Sequence, residues 1–210
     1  MSIVRIVKNR RFVDIFSRCS AAAVIVWFFW NVHPYMFVRF DLRITLFVFG
    51  EAIALLFVIT ARYSEKVDRR WGTVLIVAVT CCYFEMLRLE NTYVHIIPYY
   101  VTYFLQMIGI LLQIFSKFWL GRSYGFLPAN RGVVTTGPYR IVRHPMYFGY
   151  LLNHIGFLLG SFSVHNLVVY LFFYVFQVIR ILLEEKILMQ DDRYVKYAQK
   201  VRFRIIPLII

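Results

Sequence analysis

Six apolar runs separated by short polar stretches dominate this 210-residue sequence. They lie at about 18–38, 42–62, 71–90, 96–119, 146–160 and 164–183. The first four are near the ~20 residues that carry a helix across ~30 Å of hydrocarbon. In hydrocarbon the backbone has no water to bond, so runs of this length predict α-helices. The fifth run, at about 15 residues, makes only ~22 Å of helix. It predicts a tilted or partial crossing that forms a hairpin with the sixth around Ser161-Phe162-Ser163. The fold class expected is all-α, a polytopic membrane helix bundle with five or six transmembrane helices.

Composition supports that class. Sixty per cent of residues are apolar and 17% charged, where a soluble domain carries about 25% charged residues. The net charge of +13 does not point to nucleic acid, because the cations lie between apolar runs and not on one soluble face. Twenty-one of the 24 Lys and Arg fall before run 1, in the 62–70 loop, in 117–143 and from Arg180 onward. Only Arg39, Arg43 and Arg88 fall in the alternate loops. The positive-inside rule then predicts cytoplasmic termini and a cytoplasmic 120–145 segment.

Cys19, Cys81 and Cys82 sit in or beside apolar runs and read as buried thiols, without metal-ligand spacing. No metal site is expected. Arg5, Lys8, Arg10 and Arg11 precede run 1 as in a signal peptide, but bulky Trp27-Phe28-Phe29-Trp30 follows, so run 1 is expected to be retained as a span. Residues 191–204 place Tyr194, Tyr197 and Val201 at helical spacing among lysines and arginines, an amphipathic helix on the membrane or under the bundle that Pro207 ends.

The polar stretch Gly137-Pro138-Tyr139-Arg140-Ile141-Val142-Arg143-His144-Pro145-Met146-Tyr147-Phe148-Gly149 could not face lipid. His144 before Pro145 predicts an extended residue followed by a helix start. Such a start points N–H groups and a positive dipole end at the stretch, and with Arg140 and Arg143 it suits an anion. Gln177, Arg180 and Glu184 share one helical face near the end of run 6. They read either as a self-satisfied Arg180–Glu184 pair or as the second half of a site for a zwitterionic ligand. Glu85 can pair with Arg88. Glu51 has no partner near it in sequence. Asn153 and His154 suit interhelical hydrogen bonds, and Gly156 with Gly160 suits close helix packing. GxGxxG, P-loop and HExxH motifs are absent.

Thr135-Thr136-Gly137-Pro138-Tyr139-Arg140, Arg143-His144-Pro145-Met146-Tyr147 with Gly149, Arg180 with Glu184-Glu185, and the Tyr194…Tyr197…Pro207 tail resemble the integral-membrane methyltransferases typified by isoprenylcysteine carboxyl methyltransferase. The phospholipid N-methyltransferases are similar and share the RHPxY and EE signature. The resemblance covers roughly 104–207. It implies an N-terminal unit of about three spans (1–95) and a methyltransferase core (96–210) with a cytoplasmic-side cofactor pocket. The cofactor implied is S-adenosylmethionine. By position Arg131, Gly132, Val133, Val134, Tyr139, His144, Pro145, Met146, Tyr147 and Glu184 would line its pocket, and Arg180 would be the catalytic, substrate-side arginine. Arg131 stands where eukaryotic members often carry His. The acceptor implied is lipophilic, a prenylcysteine carboxylate or, alternatively, a phospholipid amine, with membrane lipids as the other partners. The more distant reading is a transporter or scaffold that binds no such cofactor.

Overall fold

The structure, a computed structural model, describes residues 42–64, 67, 68, 70–88 and 96–207, with Ala23, Val26, Trp27 and Trp30; of Cys81, Cys82, Phe84 and Glu85 it describes the backbone alone. The N-terminal basic cluster, run 1 as a whole, the three thiols and the Glu85–Arg88 pairing lie outside the described residues.

Among the described residues every regular element is helical. α1 spans Leu42–Thr60 and α2 spans Trp71–Cys82, prolonged by a 3-10 turn at Tyr83–Met86. α3 spans Tyr99–Leu120, α4 Pro145–Gly160, α5 Val164–Leu188 and α6 Asp192–Lys200. α1, α3 with its 3-10 extension to Ser123, and α5 are long and apolar enough to cross a membrane. α2 and α4, with 12 and 16 residues, reach ~18 and ~24 Å.

The surface is arranged for lipid. Leu56, Phe104, Phe115, Val168 and Val175 point outward and are exposed, while Thr102, Gln106, Gln113, Ser116 and Lys117 of α3 are buried. Without a hydrophobic force between helices in lipid, close packing and polar contacts hold them together. α3 and α4 show this. A Cβ added at Gly109 would lie 2.6 Å from the Asn153 backbone N, and one at Gly149 would lie 2.7 Å from the Gly109 carbonyl oxygen. Gly156 and Gly160 meet Thr102 in the same way. The expected small-residue packing is present, and its partner is α3. The backbones of α4 and α5 stand farther apart and are bridged by rings. His154 stacks on Tyr170 at 4.5 Å, and its two nitrogens meet the hydroxyls of Tyr83 at 2.8 Å and Tyr174 at 3.0 Å. The interhelical role expected of His154 is what the structure shows.

Glu51 finds its partner 66 residues away: Lys117 Nζ lies 2.7 Å from its Oε1 and also donates to the Gly50 carbonyl at 3.1 Å. Lys117, counted above as a loop charge, is therefore buried inside the bundle, as are Arg131, Arg143 and Arg180. α1 packs directly on the C-terminal half. Ala54 and Val58 of α1 pack in one core with Tyr124, Met146, Tyr147 and Ile181. The α1–α2 loop also meets the 121–136 loop, through Arg62 N–H to the Arg122 carbonyl at 2.8 Å and Asp68 N–H to the Pro128 carbonyl at 3.0 Å. The side chain of Arg70 holds the Asp68 carboxyl down at about 2.

Candidate functional site

Three segments that the sequence separates converge where α3 and α5 end. The first is the loop after α3. Gly132 adopts φ +112°, a left-handed geometry that glycine takes without strain. Asn130 steadies the turn by accepting the Gly132 N–H at 3.0 Å. This brings Arg131, Gly132, Val133 and Val134 into the wall of a pocket. The Arg131 guanidinium turns back over Gly125 and donates to the Leu127 carbonyl at 3.2 Å.

The second segment is the 3-10 turn Gly137–Arg140. Gly137, at φ +59°, presses on the Trp119 ring where a side chain has no room. Tyr139 is thereby driven inward, where its hydroxyl reaches the Ser116 carbonyl at 3.4 Å. Burial pushes its phenol well above the usual range. Pro145 takes the first position of α4 as expected, while His144, at φ −129° and ψ 62°, stops short of the extended geometry the dipeptide predicts, because its carbonyl already turns in to accept the Tyr147 and Phe148 N–H groups.

The anion-binding helix start expected here is largely taken up by the chain itself. The Tyr147 and Phe148 N–H groups turn to the His144 carbonyl at 3.1 and 3.3 Å. The Arg143 and His144 N–H groups donate to Phe203 and Arg204 at 2.9 and 2.7 Å. Arg143 is buried and ion-paired, and Arg140 faces outward.

The third segment is the end of α5. Tyr147 donates its hydroxyl to Glu184 Oε2 at 3.0 Å. Glu185 turns away from that bond and anchors the polar stretch. Its Oε1 meets Arg143 Nη1 at 2.8 Å and His144 Nε2 at 3.3 Å, and its Oε2 meets Arg204 Nε at 2.9 Å. This knot of one carboxylate and three basic side chains was not singled out from sequence. The adjacent Glu184-Glu185 pair was the available signal, but a helix must be placed before its two glutamates can be told apart.

α6 closes the site from below. Its polar face points outward, and Tyr194 and Tyr197 are buried against Tyr139, Val133, Val134 and Leu188. Tyr197 donates to the Tyr139 carbonyl at 2.6 Å. The amphipathic tail helix thus lies under the bundle. Asp191 caps it by accepting the Arg193 N–H at 3.0 Å, and it also takes a bond from Asn130 at 2.9 Å. The Arg193 side chain, with Asn130, holds the Asp191 carboxyl far below the usual carboxylate range. A depressed carboxylate stabilises the fold above its unfolded pKa of about 3.9 and loses that contribution as pH falls toward the folded value. The cap is therefore intact at neutral pH and weakens only below about pH 4. Asp191→Ala should remove about 1 kcal/mol of cap. The expected result is faster amide hydrogen exchange across 192–200, and unchanged exchange there would show that Asp191 does not hold the helix.

The resulting pocket is an open cleft of mixed polar and apolar lining. Nine of the eleven residues named by resemblance line it; Pro145 and Arg180 do not. Pro145 is packed beneath the α4 start. Arg180 lies over the Tyr147 ring, 5.9 Å from its centroid, and donates to Thr80 of α2 at 3.3 Å and to the Phe126 carbonyl at 2.9 Å. Leu120, Leu188, Tyr194 and Tyr197 complete the walls. Most pocket tyrosine hydroxyls are matched, but that of Tyr194 is buried without a hydrogen-bond partner among the described residues. Among those residues no group of His, Cys, Asp and Glu is arranged to hold a metal ion.

An α-helical membrane protein with a mixed polar and apolar pocket at its helix ends is the class that this geometry defines. Residues 97–194 match the model of the phospholipid methyltransferase family. That segment runs from just before α3 to Tyr194 and holds nearly the whole pocket, so the likeness to this family of membrane methyltransferases covers the site itself. No curated protein matches the chain.

Proposed function

We propose that the protein transfers a methyl group from S-adenosylmethionine to a lipophilic acceptor that reaches the pocket from the bilayer. The observation that carries this reading is the convergence of the 131–134 loop, Tyr139, the α4 start and Glu184 on one cavity in a membrane methyltransferase. The donor set fits the cofactor: apolar walls for a nucleoside, a carboxylate, and a buried hydroxyl still lacking a partner. S-adenosylmethionine, when bound, supplies a methyl carbon activated by its sulfonium.

The chain's own residues do the rest. Tyr147 holds Glu184 in the wall, and α6 excludes water from below. Exclusion and positioning are what a direct displacement requires. Arg180 stands on the far side of the Tyr147 ring, toward α2. There a guanidinium can grip an acceptor carboxylate with two bonds. Such a carboxylate is already ionised at neutral pH and needs no base. This supports carboxyl O-methylation of an isoprenylcysteine-like acceptor. The second reading, N-methylation of a phospholipid amine, is favoured by the description of the matching family. It would use Glu184 to steady an ammonium until the proton leaves to water. Cytoplasmic placement of the pocket in a multi-pass topology follows from the charge asymmetry, to which the buried Lys117, Arg131, Arg143 and Arg180 no longer contribute.

Detergent-purified protein should bind S-adenosylmethionine in calorimetry. Glu184→Ala should weaken that binding about tenfold or more, while Arg180→Ala should spare it and lower turnover. Membranes given labelled donor and an acceptor panel should form base-labile methyl esters on a prenylcysteine; methylated phosphatidylethanolamine would establish the second reading instead. A folded wild type that binds no donor would overturn both.

A further inference from the structure

Three of the tyrosines around the pocket end on an acceptor of the chain: Tyr139 on the Ser116 carbonyl, Tyr147 on Glu184 and Tyr197 on the Tyr139 carbonyl. Tyr194 does not. Its side chain is 3% exposed, and its ring is fixed edge-on against Tyr197 with centroids 5.5 Å apart. The hydroxyl is thus buried and meets no acceptor among the described residues. An unmatched buried hydroxyl is a standing penalty, and native structures keep few of them.

Its surroundings say what is missing. The ring packs with the apolar Val133, Val134 and Leu188 side of the pocket. The phenol feels the charges of Glu185, Glu184 and Arg143, and burial keeps it protonated. Neither neighbouring carboxylate meets it in hydrogen-bond geometry: Glu185 turns to Arg143, His144 and Arg204, and Glu184 Oε2 receives Tyr147. A donor hydroxyl at a charged corner, with an apolar wall behind it, lacks an anionic acceptor.

We infer that the Tyr194 hydroxyl binds the carboxylate at the amino-acid end of the methyl donor, with the adenosine lying along Val133 and Val134. This deepens the proposed function and rests on its donor. Tyr194 is then a ligand-contact residue carried by the closing helix α6, and it links closure of the pocket to recognition of the donor's charged end.

The test compares wild type and Tyr194→Phe, as full chains, with two probes. S-adenosylhomocysteine carries the amino-acid end, and 5′-methylthioadenosine lacks it. Tyr194→Phe should lose about tenfold or more in affinity for the first, as expected for a bond to a charged group, and should bind the second within about twofold of wild type. The ligand-free variant should melt no lower than wild type, because the change deletes an unmatched hydroxyl. An equal loss for both probes, or an unchanged affinity for S-adenosylhomocysteine, overturns the assignment. A lower melting point of the ligand-free variant does so too, since it means that the hydroxyl already has a partner. Wild type that binds neither probe overturns the donor reading itself.

Discussion

Glu185→Gln is expected to destabilise the protein severely, while Glu184→Gln, one residue earlier, should leave its melting point nearly unchanged. Both are glutamates at the end of α5, but their partners differ in kind. Glu184 meets one neutral hydroxyl. Glu185 is 5% exposed and balances Arg143, His144 and Arg204. Removing the charge strands Arg143, whose side chain is 8% exposed. Breaking a buried pair costs about 3–5 kcal/mol, and the lower end applies because Arg204 is partly solvated. The local consequence should be release of the tail. Arg143 and His144 hold residues 202–204 by two backbone bonds and by Arg143 Nη2 to the Arg202 carbonyl at 3.0 Å. Thermal melting in detergent, with hydrogen exchange read on residues 201–207, checks both parts. Equal melting points for the two variants would show that the knot is not what holds the tail.

A second large effect is expected inside the bundle. Glu51→Leu leaves the Lys117 ammonium, 1% exposed, with the Gly50 carbonyl as its one partner among the described residues. The expected loss is again about 3–5 kcal/mol. Lys117→Leu should cost less, because the Glu51 side chain is 17% exposed and reaches a better-solvated setting. The double variant should be close to wild type, since replacing both members of a buried pair by apolar groups is often neutral. The pocket should follow the same pattern. Lys117 comes directly after Ser116, whose carbonyl receives Tyr139, so donor affinity should fall in each single variant and return in the double. The double-mutant cycle decides it; additive losses would show that the two residues act separately.

The helices themselves were legible in the sequence. Runs 2, 4, 5 and 6 match α1, α3, α4 and α5 closely, because an apolar segment in lipid must satisfy its backbone internally; run 3, expected at span length over 71–90, gives an α-helix only from Trp71 to Cys82. Pro145 at a helix start and the glycine stripe on α4 were readable too, since proline and glycine act through local sterics; Pro207 does not stop α6, which ends at Lys200 where Val201 turns extended. The pocket residues named by resemblance were brought together, apart from Pro145 and Arg180.

Other features could not be read this way. The stretch around His144 looked like an anion site because its charges and N–H groups were visible while the tail that consumes them was not. Glu51 looked partnerless because Lys117 lies in a different helix. Arg180 shared a helical face with Glu184, but its bonds to Thr80 of α2 and to the Phe126 carbonyl cross to segments that spacing could not reveal. Tyr194 looked like one more tyrosine on an amphipathic helix.

Hydrophobic length, proline and glycine act over a few residues, so the amino-acid order alone prescribes the spans, the break before α4 and the burial of one face of α6. Charge pairing acts across whatever packing brings within 4 Å. A chain with 24 Lys and Arg against 11 Asp and Glu allows many pairings of similar worth. Close packing of α3 on α4 and docking of the tail selected among them, giving Glu185, among the described residues, three basic partners, Lys117 one acidic partner and the Tyr194 hydroxyl none.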